Sequence, residues 1–225
     1  MKKLQSAASR TYNSNIHTRT GVNKMKTITQ SELNDIVKKH GFWLCNRPDG
    51  EQADFRNYDL RGMMFDGAFL PKALFDNDIL DNASFTGATL NGASFVNASL
   101  TTAIMIGSRL ETADFNNACL RGAVLNKSML VSSCMTGANL IDASLVGATM
   151  TGTDLNDVKS MWDTTGNGSE IITLRTNRWT VNYTKTHMQI GCKKFLIDEW
   201  WGLVTRKLPE WLKTQLNGGK SGNRF

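Results

Sequence analysis

Two histidine–cysteine pairs share one spacing, His40-x4-Cys45 and His187-x4-Cys192. Two His and two Cys form a zinc-competent set, but this is not a finger spacing and the pairs lie on opposite sides of the patterned middle of the chain. Cys192 as a nucleophile with His187 as its base is not set up by a separation of five residues. Asp54, Asp59, Asp114 and Asp154 occupy equivalent phases of that pattern and read as solvated carboxylates rather than a paired acid and base. Asp78 breaks phase, at a position where Ala is usual, and is expected to point inward and be hydrogen-bonded at a corner. No nucleophile elbow, phosphate loop, dinucleotide fingerprint or calcium loop occurs. The expectation is no enzyme, with no catalytic, cofactor-binding or metal-binding residues and no cofactor.

What positions these residues is a five-residue period. From Ala53 to Asp157 the chain divides into 21 uninterrupted blocks, and the third residue is Phe, Leu or Met in all 21. The first residue is Ala in 14 blocks, and the fifth is Gly or Asn in 14. A period of five fits neither a helix nor a flat strand. Positions one and three share parity and point the same way from an extended segment, while Gly and Asn tolerate the positive φ of a turn. Each block is therefore a short side ending in a corner, and stacked turns of such a coil build one continuous core.

These blocks resemble the pentapeptide-repeat family, with its A(D/N)LXX consensus, over 53–157. The resemblance implies an all-β solenoid, a right-handed quadrilateral β-helix with four blocks per coil, about 25 Å long at a spacing of about 4.8 Å. Residues twenty apart then stack. One column holds Phe55, Phe75, Phe95 and Phe115, continued by Met135 and Leu155. The opposite column starts with Phe65 and Phe85, a third holds Leu60, Leu80, Leu100, Leu120 and Leu140, and the fourth runs from Leu70 to Met150.

The flanks differ from the coil in charge. Residues 1–52 carry a net +5, 53–157 a net −5 and 158–225 a net +6, which together give the +6 of the chain. Residues 1–26 read as a disordered basic tail, with Met25 as a second candidate start. Residues 27–52 read as an N-terminal cap: Thr29-x-x-Glu32 is a capping box, a helix follows over about 30–40 with Gly41 as its stop, and Phe42, Trp43 and Leu44 lead into the coil. After Asp157 the period is expected to end in a small Trp-rich α+β module over 158–225. Its strands fall near 170–174 and 178–183, a further extended segment over 187–192, and its helices over 197–215. The lead-in and the tail resemble those of phage and bacterial proteins of this type.

No apolar run is long enough to span a membrane and no secretory leader is recognisable. Four cysteines in a chain of this length fit a reducing compartment. The expected location is cytoplasmic, in the host if phage-encoded, or the virion. Met64, Ile104, Ile106, Val124 and Val146 are apolar at outward positions of one wall. They form a candidate contact surface, covered by the tail through Trp200 and Trp201, by a partner protein, or by a second copy in a homodimer. The reading is a non-enzymatic rigid scaffold or protein–protein interaction protein, without a membrane or small-molecule substrate. The alternative, from resemblance to the quinolone-resistance branch of the family, is a DNA mimic that binds DNA gyrase or another DNA-binding protein. A second alternative is an enzyme or metal site in the C-terminal module.

Overall fold

The computed structural model describes residues 25–161, 164–175, 180–184, 187–190 and 193–196. Its body is a coil with four walls. Second-position residues pair in parallel with those twenty later, as in Asp54 with Leu74, Ser84 with Ile104 and Cys134 with Asp154. The backbone bonds run both ways between coils: Phe55 N–H donates to the Leu74 carbonyl at 2.8 Å, and Leu74 N–H donates to the Ala53 carbonyl at 3.0 Å.

Corners are set by backbone conformation. All 21 fifth positions have positive φ, from 51° at Asp157 to 72° at Gly152. From Tyr58 onto Phe55 to Thr153 onto Met150, the following first-position N–H closes the turn onto the preceding third-position carbonyl, as Ala73 does onto Leu70 at 3.2 Å. Lys72, Thr102, Thr112, Lys127, Ser132, Asp142 and Asp157 hold this conformation without being Gly or Asn. The ladder therefore overrides local preference at these seven corners.

The lumen is filled by the third positions. Phe55, Phe75, Phe95 and Phe115 form a face-to-face stack with centroids 5.0, 4.8 and 4.9 Å apart, and Phe65 stacks on Phe85 at 4.5 Å. The two stacks meet edge to face across the lumen, at 5.6 Å between Phe65 and Phe75. Stacked and edge-to-face pairs are both favourable, each worth about 0.5–1.5 kcal/mol beyond burial. Phe on opposite walls satisfies both geometries at once, while Leu60, Leu80, Leu100 and Leu120 fill the space between them and are fully buried.

The N-terminal boundary differs from expectation. Lys26 is not tail: β1 (Lys26–Thr27) pairs in parallel with β2 (Tyr58–Asp59) of the first coil. The helix α1 (Gln30–Leu44) begins at the Thr29–Glu32 capping box but runs through Gly41, so Phe42, Trp43 and Leu44 belong to it. Its stop lies at Cys45, followed by Asn46 at φ 52°. Gly50 then packs on the helix end so closely that a Cβ there would lie 2.2 Å from the Trp43 nitrogen. The end of the helix is thus fixed by that close approach, not by the intrinsic preference of Gly41.

The C-terminal boundary differs too. The coil continues past Asp157 with one extra residue, so that Asn139 pairs with Ser160 and Ser144 with Thr165. Met161 is buried beside Ser160 and extends the Leu140 column in the shifted register, and Ile171 is buried in the same core. A one-residue insertion hides this coil from a strict five-residue count. Beyond it lies an antiparallel sheet of β3 (Ile172–Arg175), β4 (Thr180–Tyr183), β5 (His187–Ile190) and β6 (Lys193–Leu196), in that order. The strand at Lys193–Leu196 carries no signal in the sequence reading, and the helices expected over 197–215 lie outside the described residues. Among the described residues no helix is long and apolar enough to cross a membrane.

Candidate interaction surface

The four walls differ in chemistry. On the Phe65 wall, Ile104 and Ile106 flank the inward Met105, and Val124 pairs directly with Ile104 on the next coil. Ile104 is 39% exposed, Ile106 38% and Val146 50%, while Val124 is half-buried. Ile104, Ile106 and Val124 are a β-branched apolar patch on a rigid ladder, and Val146 stands further along the same wall, with Asn126 between it and Ile106 in their column. Met64, 61% exposed, does not join it, because Ser84 lies between Met64 and Ile104 in the same column. Trp200 and Trp201 lie outside the described residues.

Two further exposed apolar residues, Phe69 at 56% and Met129 at 40%, occupy second positions of the adjacent Leu70 wall. Their signal was available in the sequence: each is a large apolar residue at an outward phase. Phe69 is one block from Met64, and both are exposed on the first coil.

The opposite Phe55 wall is acidic. Asp54, Asp76, Asp114 and Asp154 all stand on it, with Asp157 at its last corner and Arg56 as its one basic residue. Arg56 grips Asp54 through two bonds of 2.8 and 2.6 Å and holds that carboxyl below the usual carboxylate range. Asp76 accepts from the Ser94 hydroxyl and from Val96 N–H, Asp114 from Asn116 N–H, and Asp154 from Asn156 N–H. The open depression between Asp54, Arg56, Asn57, Tyr58, Asp76 and Asn77 is lined by these same groups. Asp54, Asp76, Asp114 and Asp154 each accept a bond from their own or the next coil, as solvated structural carboxylates do rather than a paired acid and base.

Asp78 does point inward. It is buried, its Oδ1 accepts from Tyr58 N–H at 2.8 Å, and its Oδ2 has no hydrogen-bond partner. Burial pushes its pKa up to about 8, so it is largely protonated at neutral pH.

Of the two His–Cys pairs, the structure describes the side chains of His40 and Cys45. His40 is buried at the N-terminal end, Cys45 is exposed, and Cys192 lies outside the described residues. Among the described residues no group of three or more His, Cys, Asp or Glu is placed to hold a metal ion.

The two ends are closed by side chains. At the first coil, Gln30 of α1 donates to the Met64 carbonyl at 2.8 Å and accepts from Met64 N–H at 3.0 Å. At the last, Gln189 of β5 accepts from Met161 N–H while Asn182 of β4 donates to the Met161 carbonyl. A carboxamide carries the same donor and acceptor as a peptide unit and so takes the place of a missing neighbouring coil.

Residues 79–117 and 118–157 match the family of pentapeptide repeats, in 8 copies. The chain is a pentapeptide-repeat protein. Proteins of this family form the right-handed quadrilateral β-helix, which accounts for the four walls and the twenty-residue register. Among solved structures, the pentapeptide-repeat chain is similar to Rfr23 of the cyanobacterium Cyanothece 51142, at 27% identity over 41% of this chain and 63% of that one, with a TM-score of 0.41. It is similar to a pentapeptide repeat protein of the Arabidopsis thaliana thylakoid lumen, at 37% identity over 45% of this chain and 68% of that one, TM-score 0.29. It is also similar to QnrB1, a plasmid-mediated fluoroquinolone resistance protein, at 23% identity over 50% of this chain and 64% of that one, TM-score 0.35. The chain thus spans 63% of the length of Rfr23 and 64% of that of QnrB1. No curated protein matches it.

Proposed function

We propose that this pentapeptide-repeat protein is a non-enzymatic scaffold that binds a protein partner through the wall bearing Ile104, Ile106, Val124 and Val146. The observation that carries this reading is the asymmetry of the coil. Apolar β-branched residues gather on one wall, while the opposite wall holds Asp54, Asp76, Asp114 and Asp154. Covering apolar surface is worth about 25 cal/mol per Å², and a flat, rigid ladder loses little entropy when it is covered. The test is the double change Ile104→Asp with Val124→Asp. It is expected to abolish capture of the partner, or to halve the oligomeric mass if the partner is a second copy, with the melting temperature unchanged. Unaltered capture and mass would refute the assignment of this wall.

The acidic wall favours a second reading, a DNA mimic that occupies the basic groove of gyrase or another DNA-binding protein. Asp54, Asp76, Asp114 and Asp154, spread over the first, second, fourth and sixth coils at about 4.8 Å per coil, offer negative charge along one wall to such a groove. In a supercoiling assay the chain would then inhibit or protect gyrase in a salt-dependent way, and Asp114→Asn with Asp154→Asn would weaken the effect. No effect at low ionic strength would exclude gyrase as the target.

A further inference from the structure

The N-terminal end of the coil is held by a group that can change charge. His40, on the last turns of α1, is fully buried and bonds the first coil at two separate points. Its Nδ1 accepts from Ala53 N–H at 3.0 Å, and its Nε2 lies 2.9 Å from the Pro71 carbonyl. The acceptor role of Nδ1 fixes the proton on Nε2, so the ring is neutral and both bonds are satisfied. Its face stacks on Trp43, with centroids 5.3 Å apart. In the interior of the coil, a fourth-position carbonyl such as that of Asp76 accepts from a fifth-position N–H of the coil before it. Pro71 has no such coil before it, and His40 supplies the missing donor.

We propose that His40 is an acid-released latch: its protonation detaches α1 from the first coil and uncovers the parallel β edge and the lumen that α1 closes. Protonated, Nδ1 becomes a donor aimed at the Ala53 donor, so one bond is replaced by a clash of like dipoles. The charged groups next to these contacts offer no compensation. On the α1 side, Lys39 is paired with Glu51 at 3.0 Å. On the coil side, Asp54, which follows Ala53, is held by Arg56, and Lys72, which follows Pro71, adds positive charge. Burial holds the ring below the ordinary histidine range, against a smaller opposing effect of the Pro71 bond. The sign follows. A histidine whose folded pKa is depressed contributes stability that is complete above about 6.5 and is lost as the pH falls through the folded value.

Release would not unravel the coil, whose interior ladder does not involve His40. It would open the Gln30–Met64 bonds and expose Leu33, which is buried against the core cluster. The uncovered edge is a template for another strand.

The test is amide hydrogen exchange on the full chain at pH 7.5 and pH 5, corrected for intrinsic rates. Peptides from 30–44 are expected to lose at least about tenfold in protection at pH 5, the scale of one buried hydrogen bond, while peptides from 79–157 keep theirs. In His40→Gln the protection of 30–44 should no longer depend on pH. A second readout needs no variant. Ring-proton resonances should show the His40 ring titrating below the ordinary histidine range, with a midpoint matching the loss of protection. Protection of 30–44 that is constant from pH 7.5 to 5, or a pH dependence that survives in His40→Gln, would overturn the proposal.

Discussion

Replacing Asp78 by Ala should stabilise the protein, by an amount that grows with pH. Asp78 sits at the first position of its block, where 14 of 21 blocks have Ala, and its Oδ2 is buried without a hydrogen-bond partner. Its pKa is pushed from 3.8 up to about 8 by burial. An acid with a raised folded pKa adds stability below its unfolded pKa and loses it as the pH rises toward the folded value. At pH 7 the folded chain must bind a proton that the unfolded chain has released. At 1.36 kcal/mol per unit, this costs about 4 kcal/mol relative to acid pH. Removing the carboxyl loses its bond to Tyr58 N–H, but that N–H also donates to the Phe55 carbonyl at 3.0 Å, so it is not orphaned. Loss of packing around the smaller side chain costs about 1 kcal/mol. The net gain at pH 7 is about 3 kcal/mol, falling to zero or slightly below near pH 4. Urea melts of the parent, Asp78→Ala and Asp78→Asn at pH 4, 5.5 and 7 measure it. A gain that is absent at pH 7, or equal at all three values, would refute the assignment of a buried, protonated carboxyl.

Two other predictions follow from the coil. Phe95 is stacked on both sides, by Phe75 and Phe115, so Phe95→Ala should cost about 3–5 kcal/mol in denaturant melts and more than Phe115→Ala, whose ring stacks on Phe95 alone. Thr112 is β-branched at a corner with φ 58°, so Thr112→Asn should raise stability by about 0.5–1 kcal/mol; a loss in the same melts would show that its hydroxyl bond to the Glu111 carbonyl outweighs the strain.

The coil was legible because one apolar residue in five leaves little choice of geometry. The columns through Phe55 and Phe65 need only the period and the count of blocks per coil. The ends were not legible in the same way. Gly41 reads as a helix stop in isolation, but the packing of Gly50 on Trp43 depends on a contact between segments that no local pattern encodes. The coil that buries Met161 was hidden by a single extra residue, which breaks a strict period without breaking the ladder. His40 was weighed as a metal ligand because its type suggests one. Its partners are backbone atoms of Ala53 and Pro71, which have no signature in residue identity. The apolar wall was half legible. Ile104 and Val124 stand at the second position of their blocks and Ile106 and Val146 at the fourth, both outward phases that the period exposes, whereas the separation of Met64 by Ser84 appears only when the coils are stacked.

Carboxamides at both ends have a consequence for how such a protein changes length. Gln30 meets the coil at the backbone of Met64, and Gln189 and Asn182 meet backbone atoms of Met161, so these contacts do not depend on how many coils lie between. Loss or duplication of twenty residues, the spacing at which walls realign, would shorten or lengthen the body and leave both closures intact. Loss or gain of a single block between Met64 and Ile104 would be different. It would preserve the ladder yet turn everything beyond it by a quarter of a revolution, carrying the apolar wall to another side of the body relative to α1. Whole-coil changes therefore alter reach, and single-block changes alter direction, so the orientation of the contact wall can drift in a lineage while every block still reads as a good repeat.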